Sequence, residues 1–258
     1  MANAYNPYTA PVHSVTKQGA YEPFELQVAR NQIMGHETLN VFGYATAVST
    51  SSVAVWENNA AYVFPTVAST MLVTSSSASD TAVTILISGL DANYIEISES
   101  VTLDGTTAVT TTNTYWRINS VVTTAGNAVG TVYVKNAGGT TYAQITIGAG
   151  KTNMSVYTVP AGHTAYMTQF DAFSSTSVTS GVYATFRALI TSSTGVQNVT
   201  LSIPFLNSYE VARPFPISVL EKADAQWQCK SSGAGLGIGT LVIGVLVQNN
   251  NNVTGSGT

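Results

Sequence analysis

The chain has 258 residues, 45% of them hydrophobic and only 9% charged, with 9 basic against 13 acidic side chains and a formal net charge of −4. An average soluble domain carries roughly 25% charged residues, so solubility here rests on Ser, Thr, Asn and Gln, a composition suited to a chain packed against neighbours or exposed to harsh salt. The cations, among them Lys17, Arg30, Arg117, Lys135, Lys151 and Arg213, are scattered and form no run able to track a phosphate backbone, which argues against nucleic-acid binding; the single cysteine, Cys229, rules out an internal disulfide framework and a cysteine-ligated zinc site.

Residues 1–22 carry Tyr5, Pro7, Tyr8, Pro11 and Tyr21 among few aliphatics and read as an extended arm. The opening stretch lacks a charged start followed by an apolar run, so it does not read as a secretory signal. From residue 23 the ordered part begins. Phe24, Leu26 and Val28 alternate as in a strand, and Gly35 beside His36 marks a turn. Short strands are expected around Val53 and Val55, Tyr62 and Phe64, Met71 and Val73, and Val83, Ile85 and Ile87, separated by Ser/Thr/Asn loops such as 74–79. No helix is expected.

The clearest stretch is 88–120. Ile95, Ile97, Val101 and Leu103 alternate with polar residues, the period of a half-buried strand. Asp104-Gly105 is a strong hairpin dipeptide, because the favoured turn needs positive φ. Tyr115, Trp116 and Ile118 supply the expected return strand.

A glycine-rich joint at 125–130 is the expected domain boundary. After it, alternating runs end in glycine turns: Ala143, Ile145 and Ile147; Tyr166, Thr168, Phe170 and Ala172; Val182, Ala184, Phe186, Ala188 and Ile190; Val199, Leu201, Ile203 and Phe205; Ala223, Ala225, Trp227 and Cys229; Leu241, Ile243, Val245 and Val247. Regular short strands of this kind point to a double sheet or jelly roll. The expected fold is all-β: an extended N-terminal arm (1–22), then two consecutive antiparallel β-sandwich or jelly-roll domains (23–125 and 126–248), then a flexible Asn-rich tail (249–258). The most apolar segment, 236–247, is broken by Gly237, Gly239 and Gly244 and is too short to cross a membrane as a helix.

The candidate sites read as structural. His13, His36 and His163 have no second ligand at metal spacing. Glu96 and Glu99 sit three positions apart on a strand and so face opposite sides, which prevents them from flanking one bond. Glu99 falls on the apolar face, where a carboxylate needs a partner; Arg117 is the expected one. Asp91, Asn93, Asp104 and Asp171 lack the spacing of a calcium loop and read as turn formers. Cys229 reads as a small buried residue. No nucleophile elbow or complete phosphate loop is present. No catalytic, cofactor or metal residue is assigned, and the chain is not expected to be an enzyme. Tyr133, Tyr142, Tyr157 and Tyr183 stand opposite the aliphatic faces of their strands, suiting either protein or carbohydrate contacts or a second buried face.

Four stretches carry a family likeness: PFELQVARNQIMGH (23–36), ISGLDANYIEISESVTLDGTTAVTTTNTYWRIN (87–119), YTVPAGHTAYM (157–167) and PFPISVLEKAD (214–224). Together they resemble virion structural proteins of tailed bacteriophages, especially those of marine and cyanobacterial hosts. The resemblance implies a non-enzymatic virion component assembled in the host cytoplasm, with no membrane contact. On that basis the expected role is a capsid decoration, cement or head-fibre subunit, a homotrimer in contact with the major capsid protein. The alternative is a tail fibre or spike that recognises host cell-surface glycans.

Overall fold

A computed structural model describes residues 22–175, 182–233 and 235–249. The chain is all-β. One short helix, α1 (Phe24–Ala29), precedes sixteen strands: β1 (His36–Val48), β2 (Val53–Ala54), β3 (Leu72–Ser75), β4 (Thr84–Leu90), β5 (Glu96–Thr102), β6 (Val109–Thr110), β7 (Arg117–Ala125), β8 (Val132–Lys135), β9 (Thr141–Ile145), β10 (Val156–Thr158), β11 (His163–Ser174), β12 (Ala184–Thr191), β13 (Gln197–Phe205), β14 (Ser208–Val219), β15 (Asp224–Ser231) and β16 (Leu236–Gln248). Among the described residues these strands form four antiparallel sheets, ordered β1-β16-β11-β14, β10-β15-β12-β13 with β2 beside β15, β6-β3-β8-β9, and β5-β4-β7.

Two main cores result. The larger gathers residues from both ends of the chain, from Leu39 to Val55 and from Tyr157 to Leu246, around Trp227, Phe170 and Phe186. The smaller holds Met71 to Ile145, centred on Ile85, Ile87 and Tyr115. The first long strand, β1, pairs with the last, β16, from His36–Val247 to Val48–Leu236. The cores are therefore nested. The expected boundary at 125/126 falls inside the smaller one, where Gly126 and Gly130 turn β7 into β8 within a shared set of buried side chains. A third cluster of Ala54, Trp56, Tyr62, Met154 and Val156 lies where the chain leaves the larger core and returns to it. Apart from Glu22 and Asn249, the expected arm and tail lie outside the described residues.

Several local expectations are corrected. Residues 24–29 are helical: Pro23 precedes the first turn with φ −55°, Glu25 lies in that turn, and Gln27 and Val28 are buried. Proline at the start of a helix loses no bond the helix needs, and an acidic residue there complements the helix dipole. Tyr62 and Phe64 pack in irregular backbone at the joint. The Asp104-Gly105 turn forms, with Gly105 at φ +59° and Thr107 N–H donating to the Asp104 carbonyl at 2.9 Å. It does not join paired strands, however. β5 pairs with β4, and β4 pairs with β7 on its other side. After the turn the chain enters β6, which pairs with β3 in another sheet.

In β11 a bulge leaves Thr168 out of register with both neighbours. The buried face therefore switches from Ala165 and Met167 to Phe170 and Ala172, where one alternating face through Tyr166, Thr168, Phe170 and Ala172 was expected. In β16 the core takes Ile238, Val242 and Leu246, while Leu241, Ile243, Val245 and Val247 lie half-buried on the other face. The alternation at Ala223, Ala225, Trp227 and Cys229 is met, all four being buried; burial also pushes the Cys229 thiol far above its usual range.

Candidate functional site

A buried polar cluster lies where the nested cores meet. Arg117 opens β7, and its Nε and Nη2 each donate to one carboxylate oxygen of Asp224, at 2.8 Å, in a fork-to-fork pair. Nη1 donates to the carbonyls of Pro65 and Trp116 at 3.0 and 2.8 Å. The guanidinium carbon lies 4.9 Å from the Phe64 ring centre, 5.1 Å from Trp116 and 5.8 Å from Tyr94, within cation–π range. Thr158 Oγ1 donates to Asp224 Oδ1 at 2.6 Å. Asn119 and Thr158 exchange two further bonds of 2.9 Å, from Asn119 Nδ2 to the Thr158 carbonyl and from Thr158 N–H to Asn119 Oδ1. Arg117 and Asp224 are both buried. This cluster ties β7 to β10 and β15 and is a clasp, since its charges are spent on each other.

The expected Glu99–Arg117 pair is not formed. The Glu99 carboxylate instead accepts the backbone N–H groups of Thr112 and Asn113, each at 2.8 Å. Asp91 Oδ1 accepts the N–H groups of Asn93 and Ile95 at 2.8 and 2.9 Å, the turn-forming role expected of it. Asp104 likewise stands in its turn. Asp171 sits opposite Glu210 in the ladder, with its Oδ1 unpartnered. Burial and the Glu210 charge raise its carboxyl above the usual range, partly offset by the Gln169 hydrogen bond. His36 and His163 each begin a strand, with Nδ1 near the carbonyls of Met34 and Ala161. His13 lies outside the described residues. Among the described residues no group of three or more His, Cys, Asp or Glu could hold a metal ion, and no helix is long and apolar enough to cross a membrane.

Two open hollows flank Asn119, Ser120 and Tyr157. One, of about 270 Å³, is lined among others by Thr38, Asn40 and Lys151; the other, of about 310 Å³, by Ser88, Glu96 and Ser98. Burial raises the Glu96 carboxyl, the Glu37 charge adds to the rise, and His163 opposes it. The Tyr157 hydroxyl is pushed far up by burial, and further by Glu96 and Glu37. Of the four singled-out tyrosines, Tyr142 and Tyr157 are buried, Tyr133 is half-buried and Tyr183 is exposed.

Sequence reasoning missed Asp80, which sits in a loop that looks interchangeable with its Ser-rich neighbours. It is buried and accepts from Ser75 Oγ at 2.5 Å and from the N–H groups of Val129 and Gly130 at 2.9 and 3.0 Å. Desolvation works against its charge, yet these bonds outweigh it and hold the carboxyl below the usual Asp range.

A larger groove, of about 540 Å³, lies where α1 meets the β1-β16-β11-β14 sheet. Phe24, Val28, Pro214, Pro216, Ile243 and Val245 supply its apolar lining, and Arg213 borders it. Beside it, β14 leaves the ladder: Ala212 pairs with Gln169 and Ile217 with Met167, so residues 213–216 bulge from the edge strand. Prolines donate no ladder bond, so an edge position suits them. Arg213 Nε is buried there without a hydrogen-bond partner.

No family model and no curated protein matches the chain. Among solved structures, the chain is similar to one titled "Structure of infectious bursal disease virus Gx strain", at 10% identity, with a TM-score of 0.23, covering 84% of this chain and 71% of that one. A likeness that weak carries no argument about fold or function.

Proposed function

We propose that this chain is a structural subunit on the surface of a tailed-phage particle, a capsid decoration, cement or head-fibre protein that works by contact and catalyses no reaction. The carrying observation is apolar surface left uncovered on a chain with little charge. Met34 is 96% exposed, Phe215 83%, Leu220 66% and Leu206 60%. These exposed side chains, on a surface with little charge, offer a partner apolar points of contact. The four phage-like motifs support the particle context. A stable interface buries more than ~1,000 Å², and self-association as a homotrimer with contacts to the major capsid protein supplies that area. The larger core is read as a jelly-roll-like sandwich and the smaller as a second sandwich inserted in it.

A second reading, recognition of a host-surface glycan by a tail fibre, draws on the polar hollow lined by Ser88, Glu96, Ser98, Asn119 and Tyr157, whose donors and acceptors suit sugar hydroxyls. Quantitative gels of purified particles separate the readings. Hundreds of copies per particle are expected for the capsid role and about a dozen for a tail role, the regime in which purified protein would also block adsorption. Absence of the chain from purified particles would overturn both.

A further inference from the structure

We propose that the groove between α1 and the bulged edge of β14 is the seat of the chain's own N-terminal segment, residues 1–21. This goes beyond the particle reading and does not depend on it.

The first argument is where that segment joins the fold. The described chain starts at Glu22, which is buried. Its carbonyl accepts from Gln27 Nε2 at 2.7 Å and its carboxylate pairs with Arg30. The segment is thus tethered at a fixed point two residues from Phe24, itself part of the groove. Twenty-one residues reach up to ~70 Å when extended, more than enough to lie along the groove. A short tether also gives a high effective concentration, on the order of millimolar, which favours docking within one chain.

The second argument is chemical fit. The segment carries Tyr5, Pro7, Tyr8, Pro11, Val12 and Val15, with Lys17 as its one charged side chain. Pro7 and Pro11 each fix their own φ, which lowers the ordering cost of laying the stretch around them along an apolar groove. The groove offers that surface in Phe24, Val28, Pro214, Pro216, Ile243 and Val245.

The third argument is the orphan donor. Arg213 Nε is buried without an acceptor, and a buried unmet donor is destabilising. An extended segment presents a carbonyl at every residue, prolines included, and one such carbonyl over Arg213 satisfies it. Thr38, Asn40 and Gln169 at the rim can bond further backbone groups.

The test uses the full chain with a photoreactive benzoylphenylalanine in place of Tyr8. After irradiation, peptide mapping should place most crosslinks within one chain, on α1, β14 or β16, with a monomer-mass band on a denaturing gel. Arg213→Ala and Phe24→Ser, each verified to melt as the parent does, should each lower that yield several-fold. Crosslinks spread without preference for the groove would overturn the proposal. So would a crosslinked-dimer band as the main product, which would make the occupant a second copy's arm, or yields unmoved by both substitutions.

Discussion

The two cores are closed by different kinds of contact. In the smaller, every strand pairing stays within residues 72–145: β4 turns into β5 through Asp91–Ile95 and β8 into β9 through 136–140, while β3 reaches forward to β6 and β8. In the larger, β1 waits for β16, and β2 for β15. Closing a long loop costs more chain entropy than closing a short one, and non-local pairing slows folding. Both cores also rely on close backbone approach: in the smaller, a Cβ on Gly89 would stand 2.2 Å from the Arg117 carbonyl oxygen. In the larger, a Cβ on Gly239 would stand 2.1 Å from Phe173 Cζ, and one on Gly244 2.5 Å from the Tyr166 carbonyl oxygen. Glycines that resemble turn markers in sequence are there to let strands and side chains meet. The smaller core is thus an excursion that closes within one continuous stretch, while the larger is a frame that needs segments from both sides of that stretch.

Substitutions can break or sharpen this contrast. The largest effect is expected for Trp227→Ala, at the centre of the larger core and 1% exposed. It should cost roughly 3–5 kcal/mol, read by chemical denaturation. Because the smaller core contributes none of the lost contacts, its backbone signals should persist to higher denaturant than those of the frame. Loss of both cores at one midpoint would mean they are a single unit. Arg117→Met should cost a comparable or slightly smaller amount, about 3–5 kcal/mol, by stranding the Asp224 carboxylate. Here the diagnostic is shape, one unfolding transition splitting into two. Pairing it with Asp224→Leu should recover most of the loss, since an apolar pair leaves no buried charge.

Asp80→Asn acts inside the smaller core and should cost about 1–3 kcal/mol at neutral pH through disturbed buried bonds. The sign with pH follows from its lowered carboxyl pKa. The native carboxylate stabilises fully above the unfolded Asp value of about 3.9, and that contribution is lost as pH falls through the lower folded value. The wild-type melting temperature should therefore drop more steeply below about pH 4 than that of Asp80→Asn. The smallest effect is a gain. Asp171→Asn removes a like-charge pair facing Glu210 across the ladder and should stabilise the frame by about 0.2–1 kcal/mol, visible as a modestly raised melting temperature.

Much of the frame was legible because its apolar residues alternate. β12 places Ala184, Phe186 and Ala188 in the core and β15 places Ala225, Trp227 and Cys229 there, although the other face of β15 also buries Asp224 and Gln228. Alternation failed where geometry interrupts it. The bulge at Thr168 shifts phase within β11, and the outer face of β16 is partly covered beside the groove, so neither face reads as polar. The Asp104-Gly105 turn was visible, because positive φ has a local signature. Its strand partners were not, because pairing depends on distant segments. The same reason hid the nesting, since no periodicity records that the first strand meets the last. Glu99 reads as the residue in need of a partner and Arg117 as its candidate, whereas Asp224, more than a hundred residues from Arg117, carries no local sign of being the partner Arg117 takes. Asp80 was missed because the donors that meet its two oxygens are brought together only by tertiary packing.

Hydrogen exchange of the intact chain tests the nested arrangement most directly. Amides of 38–45 and 238–246 should open together with one free energy, and those of 84–90, 117–123 and 132–135 together with another. Exchange that instead groups 36–48 with 84–123, and 132–135 with 238–246, would contradict it.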